Sequence, residues 1–124
     1  MGFNILIVDD SSVMRKIIMR NLNQSGIQAD QEFEASDGYE ALNVCSTHTV
    51  HLILCDINMP NMDGTTFIKE VRNRPELNQV KIIMITTEAG VDSVQRAIAA
   101  GANGYIAKPF TPGQLAEKIK SVSR

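Results

Sequence analysis

The first strand and the loop that follows it are predicted by residues 4–12, Asn4-Ile5-Leu6-Ile7-Val8-Asp9-Asp10-Ser11-Ser12. Residues 4–8 are largely apolar and rich in β-branched residues, so they predict a short buried strand. Two carboxylates stand where that strand ends. In residues 12–24, Val13, Ile17 and Ile18 recur at the spacing of one helix face. The stretch therefore predicts a strand, an acidic loop and a helix, in that order.

The same order of elements repeats along the chain. Further strands are predicted at residues 29–35, 52–55, 81–86 and 104–107, and further helices at residues 39–47, 65–72, 91–100 and 112 to about 121. Strands that alternate with helices pair in parallel through right-handed crossovers, and the helices then cover both faces of the sheet. The five units predict an α/β fold, (βα)5, with an open, doubly wound sheet of parallel strands rather than an eight-stranded barrel.

The composition narrows the class of protein. Apolar residues make up 44% of the 124 residues and charged residues 21%, which is typical of one globular domain rather than a disordered chain. The net charge of −2 argues against nucleic-acid binding through the phosphate backbone, and no apolar run is long enough to insert into a membrane. Cys45 and Cys55 lack metal-binding spacing, so we expect reduced thiols in a cytoplasmic protein.

Polar side chains follow four of the five predicted strands. Asp9 and Asp10 follow the first strand and Asp56 the third, while Thr86 comes at the end of the fourth and Lys108 after the fifth. Ligands of doubly wound sheets bind beyond the carboxyl ends of the strands, so we expect these side chains to share one site. An isolated Asp after a strand is most often a helix N-cap, and the convergence of four strand ends favours the shared site.

The charges of this group indicate a metal and a phosphoryl group. Three carboxylates repel one another unless a cation is present, and Mg²⁺ prefers oxygen ligands. Three aspartates, one Mg²⁺ and Lys108 sum to zero charge, and such a site can accept a phosphoryl group. An Asp carboxylate can itself be the nucleophile and form an acyl phosphate.

These motifs resemble a known family, the receiver domain of two-component response regulators. The resemblance covers essentially the whole chain and rests on Asp9-Asp10, on Asp56 in Asp56-Ile57-Asn58-Met59-Pro60-Asn61-Met62-Asp63-Gly64, on Thr86, and on Tyr105-Ile106-Ala107-Lys108-Pro109-Phe110. It implies the flavodoxin-like strand order 2-1-3-4-5. The chain is most similar to stand-alone receivers of the chemotaxis type, which implies a single receiver domain over residues 1–124 with no output domain.

The resemblance also implies a role for each matching residue. Four residues would hold Mg²⁺: Asp9, Asp10, Asp56 and, through its main-chain carbonyl, Asn58. Asp56 would be the phosphoacceptor, Lys108 would bind the phosphoryl group, and the Lys108–Pro109 peptide bond would be cis. The switch residues would be Thr86 and Tyr105, and the residues that tune dephosphorylation would be Asn58 and Glu88.

The implied function is a signalling switch rather than a conventional enzyme. A histidine kinase would phosphorylate Asp56 in a Mg²⁺-dependent step, and the protein would catalyse its own dephosphorylation. Phosphorylation would change the face formed by the fourth helix, fifth strand and fifth helix, and an output protein would bind there. We expect the protein to be a monomer. That partner could be the flagellar switch or another chemotaxis component, but residues 90–93, Gly-Val-Asp-Ser, lack the lysines that flagellar-switch-binding members often carry there.

Two other classes stay open from the residues alone. An Asp-nucleophile phosphatase of the haloacid dehalogenase kind needs a second Asp two residues after the nucleophile, where this chain has Asn58. A flavin or nucleotide binder with the same sheet needs a phosphate-binding loop, but the first loop, Asp9 to Ser12, is acidic and has no glycine.

Overall fold

The five predicted strands form one parallel sheet. The structure, a computed structural model, describes residues 3–57, 59, 61–86 and 91–123, with the backbone alone for residues 91–94. The strands are β1 Asn4–Val8, β2 Gln31–Ala35, β3 Leu52–Asp56, β4 Lys81–Thr86 and β5 Gly104–Ala107. They lie in the order β2-β1-β3-β4-β5 and each neighbouring pair is parallel, which confirms the predicted fold class and strand order.

Helices follow the strands as predicted. They are α1 Ser12–Gln24, α2 Gly38–Thr47, α3 Gly64–Arg72, α4 Val91–Ala100 and α5 Pro112–Ser123. The side chains of Ser11, Asp37 and Asp63 each accept a hydrogen bond from the backbone N–H three residues later. These caps satisfy first-turn donors, and they start α2 and α3 one residue before the predicted positions.

The three central strands carry the core because helices cover both of their faces. Residues 5–8, 52–55 and 82–85 are all at most 1% exposed. One layer of the core lies under α1 and α5 and includes Ile5, Ile7, Leu54, Ile83, Ile18, Leu22, Leu115 and Ile119. The other lies under α2, α3 and α4 and includes Leu6, Val8, Ile53, Ile82, Ala41, Phe67, Val71 and Ala97. Strands buried on both faces read as continuous apolar runs, which is why β1, β3 and β4 were predictable.

The edge strand departs from the prediction. β2 begins at Gln31, two residues later than expected, after Asp30 has already donated its N–H to the carbonyl of Phe3 at 2.8 Å.

A short 3₁₀ helix, Pro75–Leu77, also precedes β4 and was not predicted; Pro75 fits its first turn because that position needs no N–H donor. Among the described residues, no helix combines the length and apolar character that a membrane span requires.

Candidate functional site

The sheet brings the predicted acidic residues together at one edge. Asp9, Asp10 and Asp56 each place a carboxylate oxygen within 4.8 Å of the other two. Lys108 Nζ lies 3.5 Å from Asp9 Oδ2 and 3.9 Å from Asp56 Oδ2. Within the described ranges, no other three His, Cys, Asp or Glu side chains converge in this way. The predicted cluster of three carboxylates and one ammonium group therefore forms.

The members of this cluster differ in their access to water. Asp9 is 2% exposed, the side chains of Asp56 and Lys108 are 12% and 13% exposed, and Asp10 is exposed. Charges that are shielded from water interact more strongly than surface charges. Asp9 and Lys108 thus form the shielded floor of the site, and the site opens toward solvent at Asp10.

The backbone of Asp9 is held from several directions. Its N–H donates to the carbonyl of Ala35, and one of its carboxylate oxygens accepts from the N–H of Ser11 at 2.9 Å. Arg15 Nη1 donates to the carbonyl of Asp9 at 2.6 Å, while Arg15 Nε donates to Glu34 on β2 at 2.8 Å. These contacts fix the acidic loop after β1 before any cation binds.

Arg15 is a site residue that the sequence reasoning missed. The sequence feature that could have identified Arg15 is its position in the first turn of α1. Helical side chains point back toward the helix N-terminus, which here is the acidic loop. An arginine at this position can reach the carbonyls of the loop without leaving its helix.

Thr86 and Tyr105 lie on one face of two neighbouring strands. Thr86 is 3% exposed and pairs in register with Ala107, two residues after Tyr105. Because side chains two residues apart on a strand point the same way, Tyr105 shares the face of Thr86. Tyr105 is 37% exposed, with Lys118 Nζ 5.6 Å from its ring centre.

The loop after β5 brings Lys108 into the site. The N–H of Lys108 donates to the carbonyl of Thr86 at 2.7 Å, and the Lys108–Pro109 peptide bond is cis, as the resemblance implied. The two remaining predicted site residues, Asn58 and Glu88, lie outside the described residues, as does Gly90, and the side chains of residues 91–93 are likewise not described.

Cys55 precedes Asp56 in β3, and its thiol is buried. Burial raises the pKa of its thiol well above the ordinary value, and the nearby charges of Asp56 and Asp9 raise it further. The thiol donates to the carbonyl of Asp56 at 3.3 Å. A thiol that stays protonated is a poor nucleophile.

Known proteins share both this sequence and this fold. Residues 5–120 match the response regulator receiver domain. The chain belongs to the response regulator receiver family. A chemotaxis protein CheY homolog of Campylobacter jejuni is 43% identical over 95% of this chain and 90% of its own length. Chemotaxis protein CheY1 of Helicobacter pylori is 42% identical over 95% and 94%.

Solved structures of receivers agree with this assignment. The chemotaxis response regulator CheY4 of Vibrio cholerae superposes with a TM-score of 0.87 at 34% identity, over 98% of this chain and 99% of that one. As a receiver of the chemotaxis type, the protein is a phosphoacceptor switch of two-component signalling. The family decides against both alternatives that the residues left open, the phosphatase and the flavin or nucleotide binder.

Proposed function

We propose that Asp56 is the phosphoacceptor of this receiver and that Asp9, Asp10 and Lys108 complete its reaction site. The observation that carries the proposal is the convergence of three carboxylates within 4.8 Å, with the ammonium group of Lys108 next to two of them. Asp56 is suited to the acceptor role because it stands at the end of a central strand, with its carboxylate near both the ammonium group of Lys108 and the carboxylate of the exposed Asp10.

The donor set fits Mg²⁺. All three side chains offer hard carboxylate oxygens, and their combined charge exceeds that of Lys108 by two. Asp9, Asp10 and Asp56 would hold the ion, with the main-chain carbonyl of Asn58 as a further ligand on the family resemblance. When bound, Mg²⁺ supplies positive charge to the oxygens of the transferring phosphoryl group.

The residues of the chain define the transfer step. A carboxylate oxygen of Asp56 attacks the phosphorus of a phosphohistidine on the kinase; the new O–P bond forms while the N–P bond breaks, and the imidazole leaves with the bonding electron pair. Lys108 would bind a phosphoryl oxygen, and the distance of 3.9 Å between its ammonium group and Asp56 Oδ2 supports this role. In self-dephosphorylation a water oxygen attacks the phosphorus of the acyl phosphate, the bond between phosphorus and the Asp56 oxygen breaks, and the free carboxylate and inorganic phosphate are released.

The output of the switch is proposed for the face formed by α4, β5 and α5. The hydroxyl of Thr86 can donate to a phosphoryl oxygen that is absent from the free protein. Movement of Thr86 toward the phosphoryl group would leave space on the sheet face that it shares with Tyr105. The half-exposed ring of Tyr105 could fill that space and alter the groove that it forms with Gln114 and Lys118. A protein bound in this groove would then sense phosphorylation.

The partners follow from this scheme. A histidine kinase is the proposed phosphodonor, and a chemotaxis component is the proposed output protein, since the relatives carry chemotaxis names.

The two buried cysteines are both free thiols. Reduced thiols support a cytoplasmic site of action.

The test of the acceptor is phosphoryl uptake from acetyl phosphate, followed by intact-protein mass spectrometry. The parent protein should gain one acid-stable, base-labile phosphoryl group only when Mg²⁺ is present. Asp56→Asn should gain none, because an amide has the same shape but is a poor nucleophile. Asp30→Asn is the matched control, since Asp30 is exposed at the other end of the sheet. Equal uptake by the Asp56→Asn variant would remove Asp56 from the proposed role.

A further inference from the structure

The loop that leaves Asp56 is tied to the start of α2 by a carboxylate–amide hydrogen bond. Asp37 Oδ2 accepts from Asn61 Nδ2 at 3.0 Å, while Asp37 Oδ1 accepts from the N–H of Glu40 at 2.9 Å and caps the helix. The cap and, to a lesser degree, the bond from Asn61 lower the pKa of Asp37. The carboxylate is therefore charged at neutral pH and uses one oxygen for the helix and the other for the loop.

A close apolar contact lies beside this hydrogen bond. Met62 is 8% exposed and packs on Gly38, where a Cβ atom would stand only 2.7 Å from the sulfur of Met62. Asn61 itself has a φ of 69°, a left-handed conformation that asparagine adopts more readily than most residues. The loop thus approaches α2 so closely that a side chain at position 38 would have to displace Met62, and Asp37 and Asn61 hydrogen-bond beside this contact.

The base of the same loop is held by the sheet and by α3. The N–H of Ile57 donates to the carbonyl of Ile85 on β4 at 3.1 Å, and the N–H of Gly64 donates to the carbonyl of Ile57, also at 3.1 Å. These bonds fix the two ends of the loop close together. The contact with α2 fixes Asn61 and Met62, on the far side of the loop, against Asp37 and Gly38.

We infer that Asp37 and Asn61 are positioning residues for metal binding at Asp56, because they hold the loop after β3 against α2. The inference rests on the proposed function of Asp56. The two residues act through the loop rather than on the metal or the phosphoryl group. When only a fraction of molecules has the loop in place, the apparent dissociation constant for Mg²⁺ rises by the inverse of that fraction.

Two variants break the bond while keeping the local backbone. Asp37→Ser retains a side-chain oxygen that can cap α2, and Asn61→Gly retains easy access to the left-handed conformation. Mg²⁺ is titrated by calorimetry and by the rise in melting temperature, and the half-saturating Mg²⁺ concentration is measured for phosphoryl uptake from acetyl phosphate. We expect each variant to need about threefold to tenfold more Mg²⁺, with a rate at saturating Mg²⁺ within about twofold of the parent.

The double variant and a neighbouring control sharpen the test. Because both residues contribute to one bond, the double variant should need no more Mg²⁺ than the weaker-binding single variant. Ser36→Ala is the control, since Ser36 hydrogen-bonds Glu40 at the same helix start. It should lower helix stability slightly and leave the Mg²⁺ titration unchanged.

Several outcomes would overturn the inference. An unchanged Mg²⁺ requirement in both single variants, with or without a lower melting temperature, would reduce the bond to a structural contact. Fully additive effects in the double variant would show that the two residues do not act through one bond. Failure of the proposed function looks different: Asp56→Asn would then retain phosphoryl uptake, or the parent would not respond to Mg²⁺, and the latter result would remove this inference as well.

Discussion

Replacing Lys108 with methionine should destabilise the protein without Mg²⁺ and make it more dependent on the metal. The ammonium group lies 3.5 Å from Asp9 Oδ2 and 3.9 Å from Asp56 Oδ2. At an effective dielectric constant of about 20, each attraction is about 4–5 kcal/mol before the cost of desolvation. Loss of one partner of a buried ion pair costs about 3–5 kcal/mol, and the two long distances favour the lower end, about 3 kcal/mol.

This free energy corresponds to a measurable change in melting temperature. For a chain of 124 residues, an unfolding entropy of about 2.1 cal/mol/K per residue converts 3 kcal/mol to a decrease of about 11 °C. The assay is thermal unfolding by far-ultraviolet circular dichroism at pH 8, in EDTA and then in Mg²⁺. A concentration of 100 times Kd adds about 2.7 kcal/mol to the parent. The variant should gain more at the same concentration, because its site carries one more uncompensated negative charge.

The matched control is Lys120→Met, which removes an exposed lysine near the end of α5. It should change stability by no more than about 0.5 kcal/mol. The reasoning is refuted if Lys108→Met melts within about 2 °C of the parent in EDTA. It is also refuted if Mg²⁺ leaves the difference between parent and variant unchanged, because the metal would then not replace the missing cation.

Three further outcomes can be measured. Burial raises the pKa of the Cys45 thiol from 9.0 to about 11. The protonated thiol therefore stabilises the folded protein fully below about pH 9, and this stabilisation should be lost as the pH rises to about 11. In chemical denaturation, Cys45→Ala should reduce the fall in the free energy of unfolding over that pH interval by up to about 2.7 kcal/mol. In urea unfolding, Gly101→Ala should lower the free energy of unfolding by about 1–3 kcal/mol more than Gly26→Ala does. Both glycines have a positive φ, but only at Gly101 would the new Cβ meet another atom, Arg72 Cγ at 2.7 Å. Thr86→Ala should leave phosphoryl uptake intact, while NMR shifts induced by beryllofluoride should no longer extend from the pocket to β5 and α5.

Much of the fold was predictable because its signals are local. The observed bounds of β1, α1, β4, α4 and β5 equal the predicted ones. Continuous apolar runs mark buried parallel strands, and periodic apolar residues between caps mark helices. β2 was less predictable because an edge strand has one exposed margin, and the start of its pairing depends on which residue of β1 it meets.

The site was predictable for a topological reason, and its supports were not. The carboxyl ends of parallel strands meet at one edge whatever the side-chain packing, so Asp9, Asp10 and Asp56 had to come close. The contact of Asp37 with Asn61 joins segments that are 24 residues apart and depends on the path of an irregular loop. Asp37 caps α2 through one carboxylate oxygen, and the contact of its other oxygen with Asn61 exists only in the folded chain.

The strand order also explains why each position at this edge has its residue type. β1 and β3 are neighbours whose following helices pack on opposite faces of the sheet, so the crevice opens between them and short Asp side chains suffice to line it. Thr86 ends β4, the next strand along the sheet. Lys108 follows β5, about 10 Å from β3 at the usual strand spacing of about 4.8 Å. Only a side chain with a long flexible stem can bring a charge from there to Asp9 and Asp56, and the Nζ–Oδ2 distances of 3.5 and 3.9 Å show that Lys108 does so.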